Sequence, residues 1–187
     1  VTVAKLNIGC GQFYKEGYVN VDFDQSTKAD IFHNLEECPY PFEKEAFEEI
    51  TCDHVLEHLN NPFQVMKELH RIAKPGGQII IRVPHASRGF THPDHKRSFD
   101  FTFPYYFKPD FLGGYTGVKL EIKSVRLRWF AQPYLKKTLV PKPVFLIMSF
   151  LGFIINIFAN LSPAICSRFW CFWVGGFEEI EFIFLKN

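Results

Sequence analysis

Gly9, Cys10 and Gly11 follow the apolar run Leu6-Asn7-Ile8, and Asp22 ends the next apolar run, Tyr18-Val19-Asn20-Val21. A strand that breaks into Gly-x-Gly lets a ligand approach the backbone closely, and an acid at the end of the following strand can accept two ribose hydroxyls. The pairing is that of a nucleoside-cofactor site, although Gly-x-Gly also marks ordinary turns. Histidines form a second group. His54-Val55-Leu56-Glu57-His58 matches the His-x-x-Glu-His pattern in which two histidines hold zinc and a glutamate activates water. Further along, Pro84 to Phe99 holds His85, His92 and His95 together with Asp94, Arg88, Lys96 and Arg97. Imidazole titrates near neutrality, so a histidine here could move a proton to or from a reacting group. His85, His92 and His95 could also ligate a transition metal, but they lack a complete spacing signature.

Such residues need a scaffold that brings them to one edge. Seven short runs rich in aliphatic and aromatic residues predict strands: Val3 to Ile8, Tyr18 to Val21, Asp30 to Phe32, Glu49 to Cys52, Gln78 to Val83, Leu120 to Phe130 and Glu178 to Leu185. Pro62 to Ala73 predicts a helix, with Phe63, Met66, Leu69 and Ile72 or Ala73 at helical spacing and Pro75-Gly76-Gly77 as its stop. Strands separated by helical segments predict an α/β fold, a mostly parallel sheet with helices on its faces and a crevice beyond the carboxyl ends of the strands. Gly9, Asp22, Asn34, His54 and His85 all fall just after such ends.

Composition narrows the partners. The 187 residues suit a single domain, 1–187. Lys plus Arg number 21 against 20 Asp plus Glu, so there is no basic field for nucleic acid, and none is expected as partner. Cys10, Cys38, Cys52, Cys166 and Cys171 are odd in number and form no Cys-x-x-Cys pair, which points to thiols in a reducing, cytoplasmic setting.

Five motifs in order carry a family resemblance. Leu6-Asn7-Ile8-Gly9-Cys10-Gly11, then Val19-Asn20-Val21-Asp22, then Pro39-Tyr40-Pro41-Phe42 ahead of Phe47-Glu48-Glu49-Ile50, then Val55-Leu56-Glu57-His58-Leu59, then Glu68 to Gly77 resemble class I S-adenosylmethionine-dependent methyltransferases. The likeness is closest to the small-molecule, type 11-like branch and covers roughly residues 3 to 85. It implies a Rossmann-like seven-stranded sheet whose last strand runs antiparallel beside the fifth. It implies S-adenosyl-L-methionine as cofactor, with Gly9, Cys10 and Gly11 facing its methionine part, Asp22 on the ribose, and Asn34 and Leu35 at the adenine. The implied activity is methyl transfer by direct displacement to a small-molecule, saccharide or lipid-linked acceptor. A module of the same fold that binds cofactor without catalysis is the alternative. Only Gln12 to Gly17 separate the glycine turn from the second strand, too few residues for the usual first crossover helix.

Against this background the zinc pattern carries little weight, because Leu56-Glu57-His58 is ordinary family sequence, and no metal is assigned. Residues 85–111 are expected to cap the acceptor, with His85 as first choice of proton acceptor, His54 second, and His92 and His95 as orienting groups. Residues 136–176 read as an apolar helical insertion before the last strand. Within it, Val144 to Leu161 carries no charge, and Ser149, Gly152, Asn156 and Asn160 form a narrow polar stripe. Lys136, Lys137, Lys142 and Arg168 flank it, with Trp170 and Trp173 nearby, a pattern suited to the water–lipid boundary. The expectation is either peripheral contact with the inner face of a membrane, or packing of 144–161 against the domain or a second copy of the chain.

Overall fold

A computed structural model describes residues 4–89 and 92–186. Val3, at the head of the first predicted strand, and Phe90 and Thr91 of the histidine loop lie outside the described residues. The strands are β1 (Lys5–Ile8), β2 (Val19–Asp22), β3 (Ile31–Phe32), β4 (Phe47–Asp53), β5 (Ala73–Pro84), β6 (Leu120–Arg128) and β7 (Glu179–Lys186). They form one sheet in the order β3-β2-β1-β4-β5-β7-β6. β1 to β5 run parallel, and β7 pairs antiparallel with both β5 and β6. This is the Rossmann-like methyltransferase sheet the resemblance implied.

The helices are α1 (Pro62–Ile72), α2 (Pro133–Leu139), α3 (Lys142–Ala159) and α4 (Pro163–Arg168). Asn61 caps α1 by accepting from the Gln64 N–H at 3.1 Å, and Pro62 supplies a preset first-turn φ. The helix buries Val65, Met66, Leu69 and Ile72. It stops one residue earlier than its pattern suggests because Ala73 already belongs to β5. A 3-10 helix over Phe103–Phe107 lays Phe103 and Phe107 against Phe182 and Phe184 of β7, ring centroids 5.5 and 5.4 Å apart. Ile50, Cys52, Ile79, Ile81 and Val83 complete this fully buried face.

The alternation of strands with helices expected from the sequence is missing from the first half of the sheet. Among the described residues no helix connects β1 to β2, β2 to β3 or β3 to β4. Two strand asparagines do the work of the first crossover helix. Asn7 donates to Asn20 Oδ1 (2.9 Å) and to the Phe13 carbonyl (3.1 Å), while Asn20 accepts from the Lys15 N–H and donates to the Lys15 and Tyr18 carbonyls. The opposite sheet face is correspondingly polar. Lys15 bonds Asp53 (2.9 Å), Asp53 pairs Arg82 (2.7 Å), and Arg82 pairs Glu181 (2.7 Å), in cross-strand register over β4, β5 and β7.

The polar stripe of α3 faces the domain. β6 is an edge strand, with backbone groups left over on its outer side. Asn160 accepts from the Leu127 N–H (2.8 Å) and donates to the Leu127 carbonyl (2.9 Å), and Asn156 accepts from the Trp129 N–H (2.8 Å). Gly152 lets the helix close on Trp129 and Phe130, since a Cβ there would stand 2.9 Å from Phe130 Cβ. The apolar residues of α3 consequently point outward. Phe150 and Phe153 are each 64% exposed, and only Gly152 and Ala159 of the helix are buried.

Candidate functional site

Three adjoining cavities lie at the carboxyl ends of the parallel strands, and His54 lines all of them. The first, about 650 Å³, is bounded by Asp22, Phe23, Asn34, Leu35, Val55 and Leu59. The second, about 570 Å³, lies beside Gly9, Cys10, Gly11, Lys15, Asp53, Arg82 and Arg128. The third, about 670 Å³, is walled by Phe13, Glu57, His58, His92, His95, Tyr134 and Leu135.

The glycine turn takes its shape from its neighbours. Gly9 and Gly11 sit at φ +65° and +48°, and a Cβ on Gly9 would fall 2.2 Å from Val55 Cγ2. The turn's N–H groups do not face the cavity as the resemblance implied. Gly9 and Cys10 both donate to the Val21 carbonyl (2.8 and 3.0 Å), and Gly11 donates to Asp22 Oδ2 (2.7 Å). With a short connection in place of a helix, the turn folds back onto β2 and uses its own donors there. Asp22 is 7% exposed and also accepts from the Asp24 N–H (3.0 Å). Each carboxylate oxygen keeps a further lone pair for a ligand. Asn34 lines the same cavity while its side chain bonds the Glu36 N–H and Glu37. Leu35 is buried beside it, and Cys10 is buried next to Gly9, where burial pushes its thiol pKa upward.

The four histidines proposed for catalysis separate sharply. His85 lies in the core, 1% exposed, and lines none of the three cavities. Its Nδ1 meets Ser87 Oγ and its Nε2 meets Ser167 Oγ, both at 2.8 Å. Burial pushes its pKa down to about 4. This corrects the first choice of proton acceptor, because His85 ties the loop after β5 to α4 and cannot reach an acceptor in the cavity. His54 does face the cavities. Burial alone would lower its pKa, but bonds to Glu179 (Nε2–Oε2, 3.0 Å) and contact with Glu57 outweigh that and raise it to about 9. At neutral pH it carries a proton already, which corrects its reading as a base.

His92 and His95 wall the third cavity and stack on each other at 4.9 Å. His58 packs edge-on against both. The segment from His54 to His58 holds the first at φ +56° ahead of a 3-10 helix, Leu56–His58, so the two histidines do not share one α-helical face as the zinc pattern requires. Sequence reasoning passed over Phe13, which meets Tyr134 edge-on at 5.0 Å between two cavities, and the buried acid Glu179, while Glu57, read there as part of the zinc pattern or as structural, is fully buried. Glu178, Glu179 and Glu181 interrupt an otherwise apolar strand, a pattern that marks charge turned toward a partner.

Comparison with known proteins follows the same outline. Residues 6–81 match the family model described as a methyltransferase domain. The chain is similar to a ubiquinone biosynthesis O-methyltransferase of Pseudomonas syringae pv. tomato, 39% identical over 66 residues, 35% of this chain and 25% of that protein. It is similar to a demethylmenaquinone methyltransferase of Lysinibacillus sphaericus, 32% identical over 75 residues, 40% of this chain and 30% of that protein. The chain thus spans about a quarter to a third of the length of these curated relatives. In fold it resembles an S-adenosylmethionine-dependent methyltransferase from Archaeoglobus fulgidus, with a TM-score of 0.58 at 17% identity, over 98% of this chain and 86% of that one.

Proposed function

We propose that this chain, a member of the class I S-adenosylmethionine-dependent methyltransferases of the type 11 kind, transfers the cofactor's methyl group to a small-molecule acceptor met at a lipid surface. The observation that carries the reading is the partition of the strand-end space around His54 into a cavity lined by Asp22, Asn34 and Leu35 and a histidine-walled one. Asp22 would take the ribose hydroxyls, Leu35, Val55 and Leu59 the adenine faces, and Asn34 the exocyclic amine. The turn's own N–H groups are spent, so the amino-acid end falls to the second cavity. There Lys15 and Arg82 suit its carboxylate and Asp53 its ammonium group.

When bound, S-adenosylmethionine supplies an electrophilic methyl group, and the acceptor's lone pair forms the new bond as the carbon–sulfur pair stays on sulfur. The chain's share is alignment and exclusion of water. Phe13 and Tyr134 close one side of the acceptor cavity, and His92 and His95 offer polar contacts on the other.

The acceptor cavity shares Tyr134 and Leu135 with the outward apolar surface of α2, α3 and α4. Between Glu121 and Glu178 the chain has no acid but seven cations: Lys123, Arg126, Arg128, Lys136, Lys137, Lys142 and Arg168. Lys136, Arg128 and Arg168 are paired with Glu178, Glu179 and Asp100, whereas Lys123, Arg126, Lys137 and Lys142 have no acidic partner among the described residues, and an apolar helix beside such cations complements an anionic bilayer surface. The bonds of Asn156 and Asn160 to β6 hold α3 flat against the domain, which suits a helix lying in the interface.

Two measurements test this reading. Radiolabelled methyl transfer to phenolic and quinol acceptors dispersed in phosphatidylglycerol vesicles should be detected, and S-adenosylhomocysteine binding without any transfer would favour the non-catalytic module. Wild-type chain should co-sediment with phosphatidylglycerol vesicles, while the Phe150→Asp, Phe153→Asp variant stays in the supernatant. A wild type that ignores vesicles and elutes as a dimer would assign the apolar face to a second copy instead.

A further inference from the structure

Among the described residues Glu57 is the one buried carboxylate with neither oxygen in a hydrogen bond, and it is fully buried. A carboxylate removed from water without donors is strongly disfavoured unless a cation compensates it. His54, protonated at neutral pH, holds Nδ1 3.3 Å from Glu57 Oε1 and supplies part of that charge, but it does so without hydrogen-bond alignment and shares the charge with Glu179 on Nε2. On the cavity side the carboxylate faces imidazoles. One ring nitrogen from each of His58 and His95 and one Glu57 oxygen lie within 4.8 Å of one another, and His95 Nε2 stands 3.9 Å from Glu57 Oε1.

We propose that Glu57, His58 and His95 form a site for one divalent transition-metal cation of the zinc class, in the wall of the acceptor cavity.

The surroundings of the two rings fit that use. His95 Nδ1 donates to the Gly89 carbonyl (2.6 Å) and His58 Nδ1 to the Asp94 carbonyl (3.3 Å). A carbonyl can only accept, so each bond puts the proton on Nδ1 and leaves Nε2 with its lone pair. Metal-binding histidines are commonly fixed in this way. The loop that brings His95 is itself pinned at the site, because the Lys96 N–H donates to the Glu57 carbonyl at 2.9 Å. Two imidazoles and one carboxylate are a borderline-soft donor set that suits zinc or a neighbouring first-row ion over magnesium. Ligands around such an ion sit at about 2.0–2.2 Å from it, so the trio closes by roughly an ångström on binding, a matter of side-chain rotation.

Three protein ligands leave a coordination position open toward the cavity, where an acceptor oxygen could bind. That last step rests on the proposed methyl transfer, whereas binding of the cation does not. It would supply what the histidines lack, because coordination lowers the pKa of a bound hydroxyl, so its proton can pass to water before the oxygen takes the methyl group, without a protein base. The site differs from the His54/His58 pair of the sequence pattern, in which the glutamate is a base and not a ligand.

The test uses the full chain, stripped with a chelator and then titrated with Zn²⁺ and with Co²⁺. Calorimetry should give one site per chain, and Co²⁺ should develop the visible absorption of a low-symmetry nitrogen and oxygen site. His58→Ala and His95→Ala should each weaken binding by about tenfold or more. His95→Asn, which can still donate to the Gly89 carbonyl, should weaken it equally, separating loss of a ligand from loss of loop structure. His70→Ala, at the far end of α1 beside Lys186 and Glu45 and outside all three cavities, should bind as wild type. Failure of the stripped wild type to bind Zn²⁺ or Co²⁺ near stoichiometry would overturn the site, as would undiminished binding by the His95 variants. S-adenosylhomocysteine affinity in the same samples reads the cofactor site separately, so either idea can fail alone.

Discussion

Removing the Asp22 carboxylate should weaken cofactor binding much more than it weakens the fold. The side chain is 7% exposed at the end of β2 and lines the cavity proposed for the nucleoside. Its two oxygens hold the Gly11 and Asp24 N–H groups at 2.7 and 3.0 Å, which fixes the carboxylate's direction before any ligand arrives. Two ribose hydroxyls donating to an ionised acceptor contribute about 1.5 kcal/mol each at the low end of the range for charged partners. Asp22→Ala should therefore lose about 3 kcal/mol of binding, a factor of about a hundred in S-adenosylhomocysteine Kd by isothermal calorimetry. The same change frees two backbone donors near the cavity mouth. If water reaches both, the cost is about 1 kcal/mol or a little more, and the melting temperature should drop by only a few degrees, roughly 2–6 °C. Asp22→Asn keeps one acceptor oxygen but turns an N–H₂ toward a backbone donor, so it should bind no better than the alanine variant. A folded Asp22→Ala chain whose Kd lies within about threefold of wild type would refute the ribose assignment, because the loss is predicted from charge-assisted bonds that nothing else nearby can replace.

Two further outcomes follow from contacts already described. Asn160→Ala strips both partners from the buried Leu127 backbone and should cost about 2–3 kcal/mol in urea unfolding, whereas Asn160→Asp should cost less at acid pH, where the protonated carboxyl keeps an acceptor and an O–H donor, than at neutral pH, where the ionised group can only accept. His85 has its pKa depressed to about 4 from an ordinary 6.5 by burial, so its contribution is present above pH 6.5 and lost as pH falls from 6.5 toward 4. Wild type should lose up to about 3 kcal/mol of stability over that window relative to His85→Gln, and parallel pH profiles for the two chains would show that His85 is not buried neutral.

The sequence by itself determined the strands and the places where they end. Periodicity and punctuation are local properties, which is why Gly9, Asp22, Asn34 and His54 could be placed at strand ends with no knowledge of what lay beside them. It also exposed the short connection after Gly11, since six residues cannot make a crossover helix. What replaced that helix was not legible, because Asn7 and Asn20 become a brace only when β1 and β2 lie side by side.

The tertiary structure alone decided the chemistry of the histidines. A ring's charge and tautomer depend on partners that arrive from far along the chain: Glu179 of β7 for His54, Ser167 of α4 for His85, and the Gly89 and Asp94 carbonyls for His95 and His58. Spacing ranked His85 first because it follows a strand, yet the antiparallel β7 and the turn into α4 enclose that position. The apolar insertion shows the same division. Its stripe of Gly152, Asn156 and Asn160 was plain in the sequence, but only an unpaired edge on β6 turns that stripe inward and sends Phe150 and Phe153 out. A helix records which of its faces differ, and the neighbour it packs against decides which face is inside.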